Sequence, residues 1–80
     1  MNSEQVLAKL NDVFRDVFDS DDLTVTPQTT AKDVDGWNSL ANIRLMIAVE
    51  EAFEIKFDVG EFQDYRRVGD LISGVARRVS

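Results

Sequence analysis

Apolar residues recur at steps of three and four along much of the chain, which is the spacing of an amphipathic helix. From Ser3 to Phe18 this pattern predicts a first helix, with Ser3 as its N-cap. A second helix is predicted over Ser39 to Phe53, because this segment has no helix breaker and is apolar around more than half its circumference. That distribution favours the second helix as the central and most buried one.

The stretch between these helices, Ser20 to Trp37, follows neither the helical nor the strand period. It contains Pro27 and Gly36 among several Asp and Thr residues, so we expect a long ordered loop. A loop of this length needs apolar anchors to pack in a compact fold. Three residues can serve as anchors: Leu23, Val25 and Val34.

Beyond the second helix, a short third helix is predicted near Val59 to Asp64. Helical spacing returns from Val68 to Val79, where Arg77 and Arg78 near the end complement the helix dipole. The predicted fold is therefore all-α: a four-helix bundle with three long helices, one short helix and a long first loop.

The composition indicates one globular domain over residues 1–80, with 44% hydrophobic and 30% charged residues. There is no Cys, so the core rests on packing without disulfides. We find neither a secretory signal nor a stretch of about 18 apolar residues, which leads us to expect a soluble cytoplasmic protein. No apolar stripe is left over for self-association, so a monomer is expected.

The charge is acidic overall and unevenly distributed. Residues 1–64 carry 14 acids and 5 bases, and residues 65–80 carry 1 acid and 4 bases, which together make the net charge of −6. An acidic surface repels nucleic acid and anionic lipid, and it attracts partners with basic patches. Nucleic acid and membrane insertion are therefore not expected.

The residues that usually perform catalysis are missing. The chain has no His, no Cys and no glycine-rich phosphate loop, and its carboxylates fall on solvated helix faces. In a domain this small we also expect no preformed cleft of ligand size. We expect neither a metal site nor catalysis by the protein itself.

One short motif stands apart, Asp35-Gly36-Trp37-Asn38-Ser39-Leu40, at the junction of the loop and the second helix. The longer segment GWNSLANIRLMIAVEEAFEIKF resembles the phosphopantetheine-attachment region of acyl carrier proteins. In that family an Asp-Ser-Leu opens the second helix, and a Glu-Glu-x-Phe lies near its end. The predicted helices before and after it also fall where the family has them.

The resemblance implies that Ser39 receives a covalent phosphopantetheine arm. A phosphopantetheinyl transferase would take the arm from coenzyme A with a magnesium ion, and the arm's thiol would then hold an acyl group as a thioester. Acyl-loading, condensing or acyl-transfer enzymes would act on that cargo, so the protein carries and its partners catalyse. A phosphodiester is also favoured at a helix N-terminus, beside unpaired N–H groups.

Taken alone, a Ser that opens a helix is most often an N-cap. The attachment hypothesis rests instead on a joint pattern in a short acidic chain: Gly36, Trp37, Ser39, Leu40, Glu50, Glu51 and Phe53. We interpret Trp37 as a lid or packing residue beside the site, with simple core burial as the alternative. The apolar residues of the helix are interpreted as core, although Leu40 and Met46 could also contact partners or the arm: Leu40, Ile43, Met46, Ile47, Val49 and Phe53.

Two departures from the family pattern concern the site. Asn38 replaces the usual Asp, which preserves the helix cap but removes a charge that would favour magnesium. The second helix begins with Ala41, Asn42 and Arg44, where fatty-acid carriers are strongly acidic. We therefore expect a partner-binding face of Arg44, Met46, Glu50 and Glu51 that serves a specialised lipid or polyketide-type pathway. Arg67, where a capping Thr is common, has no functional interpretation.

Two alternatives stay open. The chain could be an unmodified interaction module that keeps the carrier fold, which Asn38 favours. It could also carry aminoacyl or peptidyl cargo, although such carriers usually show Gly-Gly-x-Ser rather than the Gly-Trp-x-Ser found here.

Overall fold

A computed structural model describes residues 2–79 of the chain. Four α-helices make up most of this part: α1 (Ser3–Val17), α2 (Ser39–Phe53), α3 (Val59–Gln63) and α4 (Val68–Val79). The all-helical prediction is confirmed, and the predicted bounds of α2 and α4 agree with the structure. α3 ends one residue earlier than predicted.

The first helix begins differently from the prediction, because Asn2 and not Ser3 is its N-cap. The Asn2 side chain accepts a hydrogen bond from the Gln5 N–H at 2.8 Å, and Gln5 Oε1 accepts one from the Asn2 N–H at 3.0 Å. This reciprocal pair needs a polar side chain three residues after the cap. Ser3 lacks one, since Val6 occupies that position and is buried.

The long connection between α1 and α2 is an ordered loop, as predicted, with an additional 3₁₀ turn over Ala31–Asp33. Val25 and Val34 are buried, and Leu23 is partly buried. The Asn11 side chain ties the loop to α1, because its Oδ1 accepts from the Val25 N–H at 2.7 Å and its Nδ2 donates to the Val25 carbonyl at 3.3 Å. These bonds satisfy backbone groups that a buried loop would otherwise leave unpaired.

The core lies where α1 faces both α2 and α4. α1 is thus the central helix, and the prediction that α2 is the most buried one is wrong. α2 buries only Leu45, Val49 and Phe53. Three of its predicted core residues are instead exposed: Leu40 (64%), Ile43 (46%) and Ile47 (48%). A helix that is apolar around more than half its circumference does not specify which face is covered, and in a bundle this small its neighbours cover one side.

The start of α4 lies against the first loop. The Val68 N–H donates to the Thr29 carbonyl at 2.9 Å, and the Gly69 N–H donates to the Pro27 carbonyl at 2.8 Å. The Asp70 carboxylate accepts from the N–H groups of Arg66 and Arg67, at 3.0 and 3.2 Å, and these bonds lower its pKa. The initial N–H groups of α4 therefore have partners although Arg67, and not a Thr, precedes the helix.

Candidate functional site

A tight turn of the chain precedes the N-terminus of α2. Gly36 has a φ of +87°, in the left-handed region that favours glycine, and it places the next residues in position to start the helix. Asn38 is the N-cap, and its Oδ1 accepts from the Ala41 N–H at 2.9 Å. The prediction that Asn38 caps the helix is confirmed.

Ser39 is the first residue of α2 and is exposed. It is not the N-cap, so the simplest structural explanation for a serine at this position does not apply. Within residues 2–79, its hydroxyl makes no hydrogen bond, and the N–H groups of Ser39 and Leu40 have no acceptor. An anionic group on the Ser39 oxygen would lie next to these free donors and the positive end of the helix dipole.

Trp37 joins the site to the core. Its ring lies edge-on to Phe14, with ring centroids 5.3 Å apart, and tilted against Phe18 at 6.2 Å. Its Nε1 donates to Asn42 Oδ1 at 3.0 Å, which fixes the indole across the first turn of α2. Trp37 is half-buried, so it packs against the core while one side stays beside Ser39.

A groove of about 300 Å³ adjoins Ser39. Sequence reasoning placed Trp37 and Asn38 near Ser39, and both line this groove. It did not find the residues that other parts of the chain bring there: Ala31, Asn42, Tyr65 and Arg66. The only signal for Arg66 was the pair of arginines that follows a long acidic stretch. Leu40 does not line this groove, and its side chain is exposed to solvent.

The carboxylate of Glu61, a residue of α3, holds Tyr65 in place. The Tyr65 hydroxyl donates to Glu61 Oε2 at 2.7 Å, and Arg77 and Arg78 also pair with Glu61. Hydrogen bonds from Arg78 and then from Tyr65 hold the pKa of Glu61 below its ordinary value. Burial, followed by the Glu61 carboxylate, raises the pKa of Tyr65. The hydroxyl therefore stays protonated at neutral pH, as a donor to Glu61.

The residues predicted to bind partners lie on two kinds of surface. Arg44 and Glu51 are exposed, whereas Met46 is half-buried and packs against the core. Glu50 is also half-buried, and its Oε2 accepts from the Phe57 N–H at 2.8 Å, so it holds the segment after α2. Sequence reasoning missed the exposure of Leu40, Ile43 and Ile47, which form an apolar stripe along α2 from the end that bears Ser39. The expectation that no apolar stripe is left over is therefore wrong, and a monomer no longer follows from it.

A second groove of about 560 Å³ lies at the other end of α2. Ile47, Glu50 and Glu51 line it together with residues of the following turn. The expectation that no cleft of ligand size exists is therefore wrong in terms of volume. Among residues 2–79, no group of three or more metal-binding side chains comes together. Across the same residues, each helix falls short of the length and apolar character that a bilayer-spanning helix requires.

Comparisons with known proteins show the family and the fold of the chain. Residues 8–75 match the family described as "Phosphopantetheine attachment site". An acyl carrier protein from Exiguobacterium sibiricum is 25% identical over 79 residues, which is 99% of this chain and the whole of that protein. The solution structure of a holo acyl carrier protein from Geobacter metallireducens superimposes with a TM-score of 0.86 at 39% identity, covering 92% of this chain and 85% of that one.

The fold and the family match define the class as a helical protein with a phosphopantetheine attachment site. The chain belongs to the acyl carrier protein family. Its cofactor is covalently attached phosphopantetheine, and the protein is a carrier and not itself an enzyme. The exposed serine at the start of α2, its free N–H donors and the adjoining groove fit that group.

Proposed function

We propose that phosphopantetheine is attached to Ser39 and that the protein is a free-standing carrier of acyl groups. The observation that supports this most directly is the Ser39 hydroxyl, which is exposed and without a hydrogen-bond partner within residues 2–79, at a helix N-terminus beside a groove. When bound, the arm supplies a thiol that holds the acyl group as a thioester. The chain's own residues present the attachment point and favour the phosphate charge through the free N–H groups of α2.

The proposed partners are a phosphopantetheinyl transferase, which uses coenzyme A and magnesium, and enzymes that load, condense or transfer acyl groups. Their docking face would be formed by Arg44, Met46, Glu50 and Glu51, to which the structure adds the apolar stripe of Leu40, Ile43 and Ile47. Exposed apolar side chains surrounded by charges are typical of protein interfaces. Met46 and Glu50 would contribute less than the exposed residues, because both already pack within the fold.

The attachment point can be tested with a matched pair of serines. Ser3 and Ser39 both follow an Asn N-cap and both open a helix. We expect wild-type protein and Ser3→Ala to gain the mass of one phosphopantetheine when incubated with coenzyme A, magnesium and a broad-specificity transferase, and Ser39→Ala to gain none. Intact-mass spectrometry measures the gain.

A mass gain in Ser39→Ala would show that the arm is attached to another residue. A folded wild-type protein that gains no mass with any of several transferases would point to an unmodified interaction module.

Asn38→Asp is expected to increase the initial rate of modification several-fold. Asp accepts the Ala41 N–H as Asn38 does, so the cap is kept, while the new carboxylate is a better ligand for magnesium. Mass spectrometry over time gives the rate, and Asn2→Asp provides a matched control, because Asn2 caps α1 as Asn38 caps α2. Equal rates for Asn38→Asp and wild type with several transferases would contradict this prediction.

We further propose that the carrier serves a specialised lipid or polyketide-type pathway. In fatty-acid carriers the second helix is strongly acidic and suits basic partners. In this chain the exposed face of α2 bears Arg44 and the apolar stripe instead. Because complementary charge governs encounter rate and partner choice, a ketosynthase of general fatty-acid synthesis should elongate chains on this carrier poorly. Arg44→Glu should raise the elongation rate, by about tenfold for 1.4 kcal/mol of improved binding. Efficient elongation of chains by that ketosynthase on the wild-type carrier would argue against a specialised pathway.

The other expectations form part of the same proposal: residues 1–80 as one carrier domain, a monomer, and a cytoplasmic location. The relative from Exiguobacterium sibiricum supports a single carrier domain, since this chain matches its whole length.

A further inference from the structure

Arg66 is the only basic residue in the lining of the groove beside Ser39, within the described part of the chain. It belongs to the connection between α3 and α4. Its backbone N–H donates to Asp70 Oδ2 at 3.0 Å, so the start of α4 fixes its position beside the start of α2. Arg66 and Ser39, the serine proposed to carry the phosphate, therefore line the same groove.

The guanidinium of Arg66 is available for a ligand. Arg15, Arg77 and Arg78 each pair with a carboxylate, whereas the exposed side chain of Arg66 makes no ion pair or hydrogen bond within residues 2–79. Residues 1–64 carry a net charge of −9, and residues 65–80, which include Arg66, carry +3. A phosphate added at Ser39 would be disfavoured by the net acidic charge of the chain and attracted by Arg66.

We propose that Arg66 binds the phosphodiester of the arm on Ser39 and thereby holds the proximal part of the arm in the groove. This inference rests on attachment at Ser39. A guanidinium presents paired N–H donors that match two oxygens of one phosphate, and the free N–H groups of α2 face the same charge. Trp37 and Tyr65 line the same groove, and their aromatic rings would offer apolar contact to the dimethyl group of the pantoyl part. Arg66 is a positioning residue for the arm.

The test uses the whole chain loaded with an unacylated arm, in four forms: wild type, Arg66→Gln, Arg66→Lys and Arg67→Gln. Arg67 is the matched control, because it is the exposed neighbour that does not line the groove. Intact mass first confirms loading. The phosphorus chemical shift, the Nε–H resonances of Arg66 and Arg67, and the emission of the single Trp37 are then compared between unloaded and loaded protein.

We expect loading to shift the Arg66 Nε–H resonance and leave that of Arg67 in place. The equilibrium constant for docking of the arm, obtained from the phosphorus shift, should fall about fivefold in Arg66→Gln, the size that an exposed ion pair reaches. Arg66→Lys should keep part of the effect and Arg67→Gln all of it. If loaded wild type and loaded Arg66→Gln have identical phosphorus shifts and Trp37 emission, the proposed role of Arg66 is overturned. Attachment at Ser39 would not be affected by that result. A wild-type protein that gains no mass would overturn attachment at Ser39, and this role with it.

Discussion

Phe14→Ala is expected to lower the free energy of unfolding by about 3–5 kcal/mol, the range for truncating a fully buried aromatic residue. Phe14 is 0% exposed and lies on α1, the helix that contacts both α2 and α4. Its ring also stacks on Phe18, with centroids 5.8 Å apart, and meets the edge of Trp37. The substitution therefore removes core volume and the support of the indole beside Ser39.

Urea denaturation followed by circular dichroism measures this loss, and the emission of the single Trp37 should shift to longer wavelength in the folded variant. Because total stability of small domains is about 5–15 kcal/mol, Phe14→Ala could leave little folded protein. Phe14→Leu keeps most of the volume and should cost less than about 1.5 kcal/mol. A loss below about 1 kcal/mol in Phe14→Ala, with unchanged Trp37 emission, would show that Phe14 does not support the site.

Gly74→Ala is expected to cost about 1–3 kcal/mol through overpacking between α4 and Tyr65. A Cβ at position 74 would lie 2.1 Å from the Tyr65 hydroxyl oxygen and 2.8 Å from Cζ. The Tyr65 ring cannot move away freely, because its hydroxyl donates a hydrogen bond to Glu61 Oε2 at 2.7 Å. Since Tyr65 lines the groove beside Ser39, the same substitution should disturb the groove. Thermal unfolding gives the stability, and amide chemical shifts near Ser39 report the disturbance.

The double variant Gly74→Ala with Tyr65→Phe tests the mechanism. Removing the hydroxyl relieves the closest contact but leaves Cζ close, so the double variant should lose less stability than the sum of the single variants. Gly60→Ala is the matched glycine control, because a Cβ there meets nothing within 4 Å and should leave stability unchanged or slightly raised. Strictly additive losses would show that the contact with Tyr65 is not the cause.

Local pattern was sufficient to place the helices. The bounds of α2 and α4 follow from apolar spacing and from the absence of breakers, and both depend on residues close in the chain. The N-cap of α2 follows from an Asn at the end of a loop. The N-cap of α1 was misplaced by one residue, because two adjacent polar residues, Asn2 and Ser3, can each cap a helix and only the partner at Gln5 distinguishes them.

The burial of α2 could not be predicted from its own residues. Leu40, Ile43 and Ile47 are as apolar as Leu45 and Val49, yet the first three are exposed and the last two are buried. Burial depends on where α1 and the other helices lie, and helical periodicity does not contain that information when a helix is apolar around more than half its circumference.

The amino-acid sequence by itself determined the helices of this protein and the serine that opens α2, because helix formation and the attachment motif depend on neighbours within a few residues. Only the tertiary structure decided what surrounds that serine. Tyr65 and Arg66 follow Ser39 by the whole of α2 and α3, and the packing of α4 against α1 and the first loop brings them to the same groove. Packing of this kind depends on how all the helices fill one core, which no single segment specifies.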